Sequence, residues 1–135
     1  MNTTALIEQE KQEGPITRGY LDAALGRVTL PTAVLCSLSD VPQPMDCLVD
    51  TMREAYGHFT AVKVSTCLNV LKSKGWPIIR ERVEVDGKKQ LTWRISRITL
   101  VIAKAKYDLA KRVGKNTIDL VFLHQVTKTI QETYT

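Results

Sequence analysis

"KVSTCLNVLKSKGWPIIRERVEVDGKKQLTWRI", residues 63–95, is the stretch that decides the fold. Val64, Leu68 and Leu71 recur at helical spacing, with Cys67 beside them and Ala61 one turn earlier. Lys72 and Lys74 sit where a helix macrodipole favours cations, and Gly75 stands where a C-terminal glycine belongs. The β-branched valines lower helix propensity, so tertiary packing has to hold this helix. Trp76-Pro77 then stops it. "IIRERVEV" alternates, Asp86-Gly87 is a two-residue hairpin signal, and "KKQLTWRI" alternates back. The stretch predicts a helix over 60–74 and a two-stranded hairpin over 78–95.

Upstream, "MDCLVDTMREAYG" (45–57) has Met45, Leu48, Val49, Met52, Ala55 and Tyr56 in the i, i+3, i+4, i+7 pattern, which predicts a helix over 45–56 closed by Gly57. His58 to Thr60 is a tight connection, and the Thr60 hydroxyl suits an N-cap. "VPQP" (41–44) reads as a connector, because each proline pushes its predecessor away from helix. Before it, Thr29-Leu30-Pro31 is a helix entrance, and Val34, Leu35 and Leu38 share one face of a helix over 31–40. Residues 1–15 are polar and end in Gly14-Pro15, a mobile arm or a short frayed helix; 16–28 allows a short helix with Tyr20, Leu21, Ala24 and Leu25 on one side.

Downstream, Ile98, Val101, Ile102, Ala105, Leu109 and Val113 keep helical spacing up to Gly114. "RITLVIA" is β-branched, which leaves 98–104 open between helix and strand. Asn116 or Thr117 then caps a last helix, with Ile118, Phe122, Val126 and Ile130 four apart. The predicted class is α+β, mainly α. It comprises an arm and short helix (1–30), a three-helix-plus-hairpin unit (31–97) and a C-terminal helical extension (98–135).

Composition bounds the rest. A chain of 135 residues, 44% hydrophobic and 24% charged, buries a core without metal or disulfide staples. Aromatic content is 6%, which argues against an aromatic platform for single strands. The net charge of +5 is unevenly spread: −4 over residues 1–52, +6 over 53–97 and +3 over 98–135. Cys36, Cys47 and Cys67 are odd in number, no CxxC occurs, and His58 and His124 give no zinc spacing. Three free thiols, each a small buried hydrophobe, fit a reducing cytoplasm. The N-terminus has no apolar run of a signal peptide, and no stretch approaches the roughly 20 apolar residues of a membrane span. The expectation is a soluble, cytoplasmic protein.

The order helix, helix, tight turn, helix, basic hairpin resembles a winged helix-turn-helix domain. "REAYGHFTAVKVSTCLNVLKSKGWPI" and the hairpin after it carry the resemblance. The ending Leu68, Leu71, Gly75, Trp76, Pro77 and Ile78 is similar to small helix-turn-helix proteins of phages and other mobile elements. It covers about residues 31–95. The turn Gly57–Thr60 departs from the pattern by holding Phe59, and the third helix carries few long polar side chains.

The resemblance implies sequence-preferring binding of double-stranded DNA by a small regulatory protein, with the third helix in the major groove and the wing on the backbone. The helix face opposite the apolar stripe offers Lys63, Thr66, Asn69, Val70 and Ser73, flanked by Ser65 and Lys72. Asn69 suits adenine, which an amide meets bidentately; the Ser65 and Thr66 hydroxyls donate or accept; Val70 suits a thymine methyl. Lys63, Lys72 and Lys74 suit phosphates, which position without reading sequence. On the hairpin, Arg80 and Arg82 share a face, Lys88 and Lys89 follow the tip, and Arg94 comes after, with Glu84 and Asp86 among them.

For each feature a plainer reading stands beside the functional one. The basic cluster has a solvated face as its plainer reading, and element order together with charge asymmetry favours nucleic acid over it. Trp76 and Trp93 read as a buried junction between helix and wing rather than stacking surfaces. Cys67 has no base placed to activate it, and Asp46, Asp50 and Glu54 read as a solvated stripe rather than a metal site. No phosphate loop or nucleophile elbow occurs, so neither a catalytic residue, a metal nor a cofactor is expected. The alternative function is a winged protein–protein module for a host transcription or replication protein, with the acidic first third, the apolar C-terminal elements and Val62 and Val70 as its interface. RNA is a further anionic candidate. The two C-terminal elements must bury against either the domain's own core or a second copy, which makes a homodimer through 98–135 a further partner.

Overall fold

The computed structural model describes residues 28–114 and 116–134. Within them the protein is α+β and mainly α, with five helices and a three-stranded antiparallel sheet. The expected arm (1–15) and most of the short helix (16–28) lie outside the described residues.

α1 (Leu30–Ser37) starts with Pro31 in its first turn, and the Thr29 and Thr32 hydroxyls lie 2.9 Å apart. It stops at Ser37, short of the expected 40. Leu38 is already extended, and the Ser39 carbonyl accepts from the Ile95 N–H at 2.8 Å. The end of "VPQP" is also extended: Gln43–Pro44 form β1 and pair with Trp93 and Thr92. A two-residue edge strand tolerates proline and is too short to show a period of two. The Gln43 amide fixes this corner. Its Nε2 donates to the Ser37 carbonyl at 3.1 Å, and its Oε1 accepts from the Thr51 hydroxyl at 3.1 Å.

α2 (Met45–Ala55) buries Leu48 and Met52, with Met45, Val49 and Tyr56 half-buried; Ala55 faces solvent. Gly57, at φ 127°, turns the chain toward α3. α3 (Ala61–Ser73) is capped by the Thr60 hydroxyl, which accepts from the Lys63 N–H at 3.3 Å. It buries Val64, Cys67, Leu68 and Leu71, while Ala61 is exposed. Its end is a Schellman motif. The Trp76 N–H reaches the Leu71 carbonyl at 3.0 Å and the Gly75 N–H reaches the Lys72 carbonyl at 3.0 Å. Gly75 takes φ 90°, and Trp76 and Leu71 are both buried, as the hydrophobic contact of that motif requires.

β2 (Ile79–Val85) and β3 (Lys88–Arg94) form the hairpin, with Asp86 at φ 53° and Gly87 at φ 78°. Two successive positive φ values are those of a type I′ turn, whose twist matches the strands. The sheet order is β1-β3-β2.

α4 (Arg97–Arg112) settles residues 98–104 as helix. The Ser96 N–H donates to the Thr99 hydroxyl at 3.2 Å, and that hydroxyl donates to the Pro77 carbonyl at 3.1 Å. A fully buried threonine thus ties the start of α4 to the turn between α3 and β2. α5 (Thr117–Thr133) is capped by Asn116, whose side chain accepts from the Asp119 N–H at 3.0 Å. It packs against α4 and folds back onto α1, burying Leu123, Val126 and Ile130 in the same core as Leu35, Leu48 and Leu68. α4 contributes Thr99, Ala103 and Ala110 to its buried side. The stripe running from Ile98 to Val113 has the expected helical spacing, but most of it faces solvent.

Candidate nucleic-acid interface

The exposed side of α3 follows from its buried side. With Val64, Cys67, Leu68 and Leu71 facing the core, the opposite face carries Val62, Thr66, Asn69, Val70 and Ser73. Lys63 and Lys74 lie along one edge of that face, Ser65 and Lys72 along the other. Lys63, Thr66, Asn69, Lys72 and Lys74 are all exposed, and Ser65 is half-buried. The Ser73 hydroxyl donates back to the Val70 carbonyl at 2.7 Å. No acidic residue lies between Ala61 and Lys74.

The hairpin register sorts the remaining cations, because directly paired residues share a face. Arg80 pairs with Trp93, Arg82 with Leu91 and Glu84 with Lys89. Arg80, Arg82 and Lys89 therefore stand on one face, with Glu84 among them. Val85 pairs with Lys88, which puts Lys88 on the other face with Arg94. Arg94 is engaged already: its Nε lies 2.7 Å from Glu81 Oε1, and both side chains are partly shielded. Of the expected DNA-binding cations it alone has an ion-pair partner among the described residues. Its pairing with Glu81 is the same-face diagonal contact of Ile79–Arg94 and Glu81–Thr92, which strand alternation does not reveal before the register is known.

The wider site is held by groups that sequence spacing does not mark. Lys106 on α4 places its Nζ 5.4 Å from the centre of the Trp76 ring and donates to the Lys74 carbonyl at 3.3 Å. Phe122 on α5 meets Trp76 edge to face at 6.0 Å. Trp76 and Trp93 are both buried, as a junction requires. A cation opposite a C-terminal carbonyl 32 residues away leaves no local signal in the sequence.

The thiols behave differently from one another. Cys67 is buried, and burial pushes its pKa up to about 11, with Lys74 pulling slightly the other way. Cys36 is half-buried and its pKa is raised, chiefly by burial. Cys47 corrects the expectation of three buried thiols. It is exposed on α2, because its position falls on the solvent side next to Asp46 and Asp50. Asp46, Asp50 and Glu54 all stand in solvent, with Asp50 3.3 Å from Arg53. Among the described residues no cluster of His, Cys, Asp and Glu is disposed to hold a metal, and no helix is long and apolar enough to cross a membrane.

No family model matches the chain, and no curated protein matches it.

Proposed function

We propose that residues 30–95 form a winged helix-turn-helix that binds double-stranded DNA with a sequence preference, as part of a small regulatory protein. The observation that carries this reading is the element order α1-β1-α2-α3-β2-β3 with sheet order β1-β3-β2, joined to a lysine-edged, acid-free α3. α3 enters the major groove with Asn69, Thr66 and Val70 toward base edges, while its lysines meet phosphates. The hairpin acts as the wing, with Arg80, Arg82 and Lys89 on the backbone and Lys88 beside the tip. Arg94, held by Glu81, stiffens the wing's base.

A second reading has its own observation. Val62 is 76% exposed and Val70 44%, so the same helix face offers an apolar patch to a protein of the transcription or replication machinery. Salt separates the two, since counterion release makes phosphate binding salt-sensitive and apolar docking is not.

The test is a charge-removal variant carrying Lys63→Ala, Arg80→Ala, Arg82→Ala and Lys88→Ala, compared with the parent on mixed-sequence duplex. The expected result is at least roughly a hundredfold weaker binding at low salt, with a salt slope shallower by about 0.9 for each phosphate no longer neutralised. Equal binding by variant and parent would mean the footprint is misplaced. Competition with duplex RNA tests the choice of nucleic acid.

A further inference from the structure

α4 presents an apolar face that the fold leaves uncovered. Its buried side is Thr99, Ala103 and Ala110, turned toward α5. At about 100° per residue, Ile98, Val101, Ile102, Ala105, Leu109 and Val113 form a stripe centred roughly a third of a turn away from that side. Ile98 is 53% exposed, Val101 58%, Leu109 55% and Val113 60%. Between Ile98 and Lys111 no charged residue falls within the stripe, which runs about 24 Å along the helix at 1.5 Å per residue; Arg112 enters it in the last turn, at nearly the same angle as Val101. A monomer rarely leaves so continuous an apolar row in water.

We infer that this stripe is the seam of a homodimer, in which α4 pairs antiparallel with α4 of a second copy about a two-fold axis near Ala105. Two features of the chain select that occupant. The first is spacing. Ile98 and Ile102 at one end are matched by Leu109 and Val113 at the other, four residues apart in each pair, with Ala105 near the middle. An isologous contact needs such self-complementarity, because each residue meets its symmetry mate's counterpart. Ile98 then meets Val113 of the second copy, Ile102 meets its Leu109, and the small Ala105 side chains let the helices approach at the axis. A groove of about 420 Å³ between α4, α5 and Trp76 is bordered by Leu109 and Val113 and receives Ile98 of the second copy at its edge.

The second feature is charge. Lys104 and Asp108 flank the stripe on one side, both exposed and without an ion-pair partner among the described residues. In the antiparallel arrangement Lys104 of one copy faces Asp108 of the other, twice, by symmetry. Arg97 is drawn aside over the Tyr134 ring, 5.4 Å from its centre. A seam of one helix pair is at the small end of specific interfaces, so the dimer is a reversible one. The inference is independent of the DNA reading, since association is measured without DNA.

The test is sedimentation equilibrium of the full chain from low-micromolar to submillimolar concentration, with circular dichroism to confirm folding. The parent is expected to dimerise reversibly, and Leu109→Glu to associate at least about tenfold more weakly. Lys104→Asp and Asp108→Lys each weaken association by placing like charges opposite one another. An equimolar mixture of the two restores it, because each heterodimer regains complementary charges across the seam. A parent that stays monomeric at the highest concentration overturns the inference and leaves the stripe to another occupant. A mixture no tighter than either single variant overturns the antiparallel register.

Discussion

Asn69 is the residue on which sequence reading by α3 would depend. It is exposed on the helix, so removing its amide costs the fold little. An amide that pairs bidentately with adenine contributes about 1–3 kcal/mol of discrimination. Asn69→Ala should therefore flatten the preference at one A·T position in a site-selection experiment while leaving mixed-sequence affinity nearly unchanged. Cys67 makes a separate, structural prediction. Its folded pKa is about 11 against an ordinary 9.0. Below pH 9 the thiol is neutral in both folded and unfolded chains, and its full contribution is present. Between pH 9 and 11 the unfolded chain loses the proton first, so stability falls as pH rises through that window. Denaturant midpoints measured across it should decline less steeply for Cys67→Val than for the parent. Burial also holds the Cys67 thiol protonated at neutral pH.

Among the elements, the turn after α3 is the one that positions both halves of the candidate interface. Gly75 sits at φ 90°, where a side chain costs about 1–2 kcal/mol. An added Cβ would meet only Lys106 Nζ at 3.9 Å, an ordinary contact, so backbone strain sets the cost. Gly75→Ala should lower stability by that amount, read as a shifted denaturant midpoint with unchanged slope. This turn was legible in "KSKGWPI", because glycine, tryptophan and proline each narrow the backbone in their own way. The hairpin was legible too, from alternation and Asp86-Gly87. β1 was not, since two residues beside prolines show no period, and its pairing with Trp93 depends on a partner 50 residues away. The spacing of α4 was readable but not its direction. Which side of an apolar helix faces inward depends on α5 and on Thr99, a polar residue that the stripe omits and the Pro77 carbonyl draws into the core. The split of the wing cations between two faces likewise required the register.

Across the whole molecule, charge and core follow different boundaries. Positive charge gathers between residues 53 and 97, while the core runs on through α5, whose Val126 and Ile130 are buried with Leu35 and Leu48. The C-terminal helices thus support the same body that carries α3 and the hairpin, and Lys106 and Phe122 brace the turn between them. Seven proposed contact cations have no ion-pair partner among the described residues: Lys63, Lys72, Lys74, Arg80, Arg82, Lys88 and Lys89. At about 0.9 counterions released per phosphate, four to seven contacts give a log–log salt slope of roughly −4 to −6. The measurement to make is fluorescence-anisotropy titration of mixed-sequence duplex DNA with the full chain at several salt concentrations. Binding that weakens with that slope is the predicted result. No binding at low salt, or binding indifferent to salt, would contradict it and make the lysine-edged helix and basic wing a solvated surface.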